Sequence, residues 1–202
     1  MANQETIYRY CSDLLALNKH ILEAVEKQQE SDSIKQSLKA QQVVDKICRI
    51  QQEHVRQLEK HVSTLEIGSN NGNGNGVLSA AKKVVTTTAG AAAGVFDLFR
   101  DDAAAKMLRD DYTALGLAAI SYTMLNATGI ALGSQSTADL ALTHLKNITP
   151  AITEISRVIA DVVVDELQEK KETNTVTASA ADLSTRSTQG AWAPEHTATF
   201  AY

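Results

Sequence analysis

Apolar residues recur at every third or fourth position through four long stretches of the chain. The first stretch shows the spacing most clearly, in the series Ile7, Cys11, Leu14, Asn18, Ile21 and Val25. Alternating steps of four and three place all six residues on one face of a helix. Only two prolines occur in 202 residues, so such helices can run without interruption. The pattern predicts an all-α fold built from four long amphipathic helices that pack as a bundle.

The predicted helices cover residues 5–29, 34–65, 101–132 and 136–171, and Gly133 is a fitting stop for the third. Pro150 should kink the fourth helix. In helices two, three and four the predicted inward residues are Ile34, Leu38, Val44, Ile47, Cys48, Val55, Leu58, Val62, Leu65; Leu108, Leu115, Ala118, Tyr122, Leu125; and Leu142, Leu145, Ile148, Ile152, Ile155, Ile159, Val162, Val163.

Residues 66–100 are expected to connect the two predicted helical hairpins as a long crossover against the bundle. The segment opens with the glycine-rich stretch 68–76, which is typical of a flexible loop, and continues with small and β-branched residues. The apolar part, 84–99, is too short to span a membrane, and binding to a membrane surface is the alternative. We therefore predict a bundle over residues 1–171 that contains this crossover.

Residues 172–202 have no helical period and are predicted to form an irregular, low-complexity C-terminal tail. Trp192, Phe200 and Tyr202 nevertheless lie in it, and disordered tails are usually poor in aromatic residues. Three aromatic side chains in eleven residues indicate a strip that docks on a partner protein or a neighbouring subunit. The alternative is a loose tail whose aromatic residues have no role.

Charge and composition exclude several classes of function. The net charge is −5, and no cluster of lysine and arginine forms the positive face that nucleic-acid binding needs. A secreted protein is not expected, because the N-terminal residues lack the pattern of a signal peptide, and a membrane partner is not expected either. We expect a cytoplasmic protein in which Cys11 and Cys48 are reduced and buried, although a disulfide between the first two helices is an alternative.

Asn18 stands at the centre of the first apolar line, where a buried amide needs a hydrogen-bond partner. The middle of a four-helix bundle is also where metal sites are built. The segments LNKHILEAV (17–25), IQQEHVRQLEKHV (50–62) and MLRDDYTALGLAAISYTML (107–125) resemble the first three helices of the ferritin-like superfamily. The resemblance is to its small bacterial stress-associated bundles of the YciF type, and it implies a ferritin-like four-helix bundle.

Ferritin-like di-metal sites use a glutamate on each of two helices and a Glu-x-x-His motif on each of the other two. The resemblance places these positions at Asn18, Gln51 with His54, Thr113, and Asn147. Apart from the imidazole, neutral side chains stand where the family has ligands, and Glu-x-x-His occurs nowhere in the chain. We expect a degenerate metal layer that holds no metal or cofactor, with His54 hydrogen-bonded to Asn18 or Gln51.

These observations predict a non-enzymatic helical bundle that acts as a structural, self-assembling or interaction protein. We expect a homo-oligomer in which the tail contacts subunits or partners, and the resemblance implies a stress-related role. The alternative is a metal-binding ferritin-like oxidoreductase or metal store with noncanonical ligands, for which the candidates are Glu23, Glu53, Asp110, Asp111, His144 and Glu154. A third hypothesis, a protein that coats lipid surfaces, rests on the composition of the crossover.

Overall fold

A computed structural model describes residues 2–70, 103–169 and 178–192 of the chain. These residues contain helices and their short connections, and no strand, which confirms the predicted all-α class. The helices are α1 (Ala2–Glu30), α2 (Asp32–Gln36), α3 (Leu38–Asn70), α4 (Ala104–Ala131), α5 (Gln135–Glu169) and α6 (Ala178–Trp192).

The four long helices α1, α3, α4 and α5 pack side by side. α1 lies against α3 and α4, and α5 lies against the same two helices from the other side of the core, with its largest contact on α4. Gln28, near the end of α1, bonds to Asp111, near the start of α4. Lys46, early in α3, pairs with Glu154, late in α5. Neighbouring helices therefore run antiparallel, and α3 ends at the opposite end of the bundle from the start of α4.

The second predicted helix is interrupted at Ser37, which has extended backbone angles. Its hydroxyl accepts a hydrogen bond from the backbone N–H of Ala40, as serine commonly does at the start of a helix. The break turns the start of α3, and Leu38 is 67% exposed, so its predicted inward position is wrong. α3 then continues to Asn70, past the predicted end at residue 65.

The predicted inner faces of α1 and α4 are confirmed, because every residue named for them is buried. On α5 the prediction is wrong for Leu142 and Val163, which are exposed. Small residues, among them Ala138, fill the α4–α5 seam instead. A side chain at Gly129 would come within 2.7 Å of the Ala138 nitrogen, so these helices approach too closely for large residues there.

The turn from α4 to α5 matches the predicted helix stop. Gly133 has a φ of 72°, in the left-handed region that favours glycine. The Ser134 N–H donates to the carbonyl of Gly129 at 2.7 Å and closes the last turn of α4. Pro150 lies inside α5, which continues on both sides of it, and the kink expected there stays a prediction.

The predicted irregular tail is wrong for residues 178–192, which form α6. Alanine is frequent in this stretch, and neither proline nor glycine occurs before Gly190, so a helix meets no strong breaker. α6 packs against α5 and buries Ala181. Trp192 is its last residue, whereas Phe200, Tyr202 and residues 71–100 of the predicted crossover lie outside the described part of the chain.

Candidate functional site

Four polar side chains meet at the centre of the bundle, one from each long helix. They are Asn18 of α1, His54 of α3, Tyr122 of α4 and His144 of α5, and all four are fully buried. Each lies on the inward face of its helix among aliphatic neighbours, so the helical period that builds the core also brings them together. We call these four residues the central layer.

The hydroxyl of Tyr122 joins the central layer. It donates to the Asn18 Oδ1 at 2.9 Å, and it lies 3.0 Å from the His54 Nδ1 and 3.1 Å from the His144 Nδ1. The Asn18 Nδ2 donates to the carbonyl of Leu14, one turn earlier in α1, at 2.7 Å. One oxygen atom therefore links all four helices.

The two imidazole rings of the central layer lie face to face. Their centroids are 3.9 Å apart, with 5° between the planes. The Tyr122 ring stands edge-on to both, at 86° to His54 and 90° to His144. This packing fixes both rings, so a change in the position of one helix would disturb the bonds of the others.

A chain of polar contacts runs from the central layer to the surface. The His144 Nε2 lies 2.8 Å from the Gln57 Oε1. The Gln57 Nε2 donates to the Glu53 carboxylate, which also accepts two hydrogen bonds from Arg56. Gln57 lines a surface cleft of about 470 Å³ between α3 and α5. The buried layer therefore connects to solvent through one side chain.

Burial keeps the central layer uncharged at neutral pH. Desolvation is the largest cause of the shift at each histidine, and it lowers the pKa of His54 to about 3 and that of His144 to about 4. Burial likewise raises the pKa of Tyr122, against the smaller effect of its bond to Asn18. The layer is made of two neutral imidazoles, a phenol and an amide.

Of the five predicted metal-layer positions, the structure brings only two into the central layer. Asn18 and His54 lie in the central layer, and His54 bonds to Tyr122 rather than to Asn18 or Gln51. Gln51 is fully buried, and its side chain has no hydrogen-bond partner within the described part of the chain. Thr113 and Asn147 lie on exposed faces.

Sequence reasoning did not place Tyr122 or His144 in the central layer, and it named His144 only as a ligand of the alternative, noncanonical metal site. Tyr122 was predicted only as a core residue. His144 could have been found from its spacing, because it precedes the inward Ile148 by four residues, as a residue on the same helix face does. Across residues 2–70, 103–169 and 178–192, no three histidine, cysteine, aspartate or glutamate side chains come together in a group that could hold a metal ion.

A second buried polar site lies where α1 ends and α4 begins. The Gln28 Nε2 donates to the Asp111 Oδ1 at 3.0 Å, and Asp111 is almost fully buried. Its Oδ2 and the Gln28 Oε1 have no partner among the described residues. Burial raises the pKa of Asp111 to about 7, the bond from Gln28 lowers it, and the neighbouring Asp110 raises it further. We call Asp111 and Gln28 the acid–amide pair.

The outer surface of α4 is unusually apolar. No charged residue occurs from Tyr112 to Ala138, and Leu117, Ile120 and Met124 follow one another along one exposed face. By length and composition alone α4 could also cross a membrane, a test that the core helices of soluble proteins pass as well. We call the three residues Leu117, Ile120 and Met124 the α4 face.

Both cysteines are free thiols in the core. Cys11 and Cys48 are buried, as predicted, and no disulfide joins them in this structure. Burial raises the pKa of the Cys11 thiol to about 12. A thiol held in its protonated form is a poor nucleophile and a poor metal ligand, so Cys11 is suited to packing in the core.

Comparisons of the chain with protein-family models, with curated proteins and with solved structures find no match. Three features of the molecule bear on its function, namely the central layer, the acid–amide pair and the α4 face. Each is defined by side chains of the described residues, and each makes a different kind of chemistry available.

Proposed function

We propose that the protein is a non-enzymatic, ferritin-like helical bundle that acts through its surfaces as a structural, self-assembling or interaction protein. The observation that carries the proposal is the central layer, in which each long helix contributes one side chain that is neutral at pH 7. The helix order supports the ferritin-like assignment. Two antiparallel hairpins follow one another along the chain, and α3 ends at the opposite end of the bundle from the start of α4, as in a ferritin-like bundle.

The chemistry of the central layer argues against a di-metal centre. Divalent iron or manganese in a ferritin-like site is held by several carboxylates, which compensate its charge. The layer offers two imidazoles, an amide and a phenol whose pKa is raised by burial. The metal-binding alternative would need acidic side chains from outside the layer, and among the described residues no three histidine, cysteine, aspartate or glutamate side chains form a group that could hold a metal ion.

A hydrogen-bonded layer has a different use in a bundle, which is to fix how the helices align. Sliding one helix by a turn would move its polar side chain about 5.4 Å out of the layer and leave buried groups without partners. Aliphatic contacts alone discriminate poorly between such alignments. A single buried polar residue fixes alignment in coiled coils, and the central layer is suited to the same role here.

The α4 face supports the part of the proposal that concerns assembly. A chain with a net charge of −5 repels its own copies, and this repulsion is weakest across an uncharged surface. Leu117, Ile120 and Met124 would bury apolar area in such a contact. The aromatic residues Trp192, Phe200 and Tyr202 remain proposed as a second contact with a subunit or partner. We propose a stress-related role on the resemblance alone, and the cytoplasmic location stays a prediction.

One preparation tests the proposal. The full chain is purified without chelator, its metals are measured, and its mass in solution is determined by light scattering. We expect substoichiometric metal and a mass above that of one chain. Roughly two metal ions per chain would support the metal-binding alternative instead.

A matched pair of variants locates the assembly surface. Ile120→Glu places a charge on the α4 face and should lower the mass towards that of one chain. Thr123→Glu adds the same charge to an exposed position of α4 outside the α4 face and should leave the mass unchanged. If Ile120→Glu has no effect and removal of residues 173–202 dissociates the assembly, the tail is the contact. A parent chain that stays monomeric at high concentration contradicts self-assembly.

A further inference from the structure

We infer that the central layer is a buried proton-binding site, in which His144 becomes an imidazolium held between Tyr122 and Gln57 while His54 stays neutral. The inference goes beyond the proposed function, because a layer that only fixes helix alignment needs no change of protonation. It follows from counting the hydrogen atoms that the observed contacts require.

At one end of the network, the carbonyl of Leu14 fixes the direction of the hydrogen bonds made by Asn18 and Tyr122. A carbonyl only accepts, so the Asn18 amide must point its Nδ2 towards Leu14 and its Oδ1 towards Tyr122. The single hydroxyl hydrogen of Tyr122 is then used in the bond to Asn18. Both histidine Nδ1 atoms near the hydroxyl oxygen must therefore carry hydrogen and donate to it.

At the other end, the Glu53 carboxylate fixes the direction in the same way. Hydrogen bonds from Arg56 and Gln57 lower the pKa of Glu53 to about 2, so it only accepts. Gln57 must turn its Nε2 towards Glu53, which leaves its Oε1 facing the His144 Nε2 at 2.8 Å. That contact is a hydrogen bond only if the Nε2 carries hydrogen.

Both contacts of His144 are hydrogen bonds only if both ring nitrogens donate, and only an imidazolium carries hydrogen on both. In a neutral His144, one of its two contacts brings two lone pairs together. His54 has one contact, through Nδ1, and a neutral ring satisfies it. The network therefore has room for one additional proton, and His144 is where the contacts place it.

The charges around His144 permit one proton and oppose a second. From α3, the Glu53 carboxylate attracts the imidazolium, while His61 repels it when charged and His54 lies stacked 3.9 Å away. From α4 and α1 the facing groups are Tyr122 and Asn18, which are uncharged. Burial disfavours the charged ring and lowers the pKa of His144 to about 4, so His144 takes up the proton only under acidic conditions. Two stacked imidazolium rings would repel strongly, so His54 stays neutral.

Nitrogen NMR of the full chain, labelled with ¹⁵N and kept in chelator, tests the inference because it reports the hydrogen on each ring nitrogen. Between pH 7 and pH 4 we expect His54 to remain a neutral ring with hydrogen on Nδ1. Of these two rings only His144 should gain a second hydrogen, while circular dichroism shows a folded bundle. Charging of His54 before His144, or unfolding before His144 charges, would overturn the inference.

Variants separate the hydrogen count from a merely structural role. Gln57→Leu and Tyr122→Phe each remove one of the two acceptors, so a neutral His144 no longer has a mismatched contact. Each should lower the proton affinity of His144 by about tenfold, or one pH unit in its midpoint. The double variant should lower it by more than either single variant but by less than the sum of the two, because either change alone removes the mismatch while the second change removes the remaining acceptor of the imidazolium.

The matched control is Gln52→Leu, an exposed position on α3 whose amide faces Glu26, and it should leave the midpoint unchanged. Gln57 is only half-buried, so its variant should fold even if Tyr122→Phe does not. An unchanged His144 midpoint in Gln57→Leu would sink the inference.

Discussion

The central layer and the acid–amide pair are both buried and both include side chains of α1 and α4, yet they meet the cost of burial in different ways. In the central layer the polar groups are neutral at pH 7, and the Tyr122 hydroxyl joins them across four helices. In the acid–amide pair a carboxyl group has one partner, and two of the four oxygen and nitrogen atoms have none among the described residues. The first site is stabilised by its bonds, whereas the second depends on Asp111 keeping its proton.

The two sites should therefore respond to pH in opposite directions. His54 and His144 have folded-state pKa values below the usual 6.5, so the unfolded chain binds more protons and stability falls as the pH drops below 6.5. Asp111 has a folded-state pKa of about 7 against 3.8, so the folded chain binds more protons, and stability falls as the pH rises from about 4 to 7. Each group can contribute a slope of at most about 1.4 kcal/mol per pH unit.

The largest expected effect is the loss of the Tyr122 hydroxyl. Tyr122→Phe leaves the Asn18 Oδ1 and the His54 Nδ1 without their partner in the core, and we expect the free energy of unfolding at pH 7 to fall by about 3 kcal/mol. Urea unfolding measures it. Tyr10→Phe, at a half-buried position of α1, is the control and should cost under about 0.5 kcal/mol. Equal losses in the two variants would show that the central layer is not a stabilising network.

Asn18→Leu tests the same layer from α1 and should cost about 2 kcal/mol, because the Tyr122 hydroxyl loses its acceptor in a buried setting. The double variant Asn18→Leu with Tyr122→Phe should lose less than the sum of the single losses, since two apolar groups can pack where two polar groups bonded. A double-mutant cycle from urea unfolding gives the difference. Additive losses would mean that the two side chains are energetically independent.

How much of these sites the sequence could predict depended on how each residue is placed. The period of three to four gave the inner faces of α1 and α4, including Asn18, because each helix there presents one continuous apolar line. It could not show that α4 and α5 approach closely at Gly129, nor that Leu142 faces outwards. Nor could it align α4 and α5 with the other two helices, since that depends on packing across the core. For this reason α4 and α5 contribute Tyr122 and His144 to the central layer, instead of the predicted Thr113 and Asn147.

The acid–amide pair can be made insensitive to pH by one substitution. Asp111→Asn keeps an oxygen for the Gln28 amide and removes the titrating group, so at pH 8 the variant should be more stable than the parent by about 1 kcal/mol. The advantage should shrink to about zero at pH 4, where Asp111 in the parent is protonated. Urea unfolding at both pH values measures this.

The same profile sharpens the contrast with the central layer. With Asp111 replaced, the histidine contribution is no longer offset, and the variant should lose more stability than the parent between pH 6.5 and pH 4. A variant that is less stable than its parent at pH 8 would show that the Asp111 carboxylate, not its acid, is the form that the fold accommodates.

The smallest expected effect separates burial from the neighbouring charge as the cause of the Asp111 shift. Asp110 raises the pKa of Asp111, but burial is the larger cause, and Arg109 pairs with Asp110 at 2.7 Å and partly neutralises it. Asp110→Asn should therefore lower the Asp111 midpoint by less than about half a pH unit, measured by ¹³C NMR of the carboxyl group. Asp139→Asn, at an exposed position of α5, is the control and should shift nothing. A fall of more than about one unit would make the charge of Asp110, rather than the dry surroundings of Asp111, the reason that the acid–amide pair differs from the central layer.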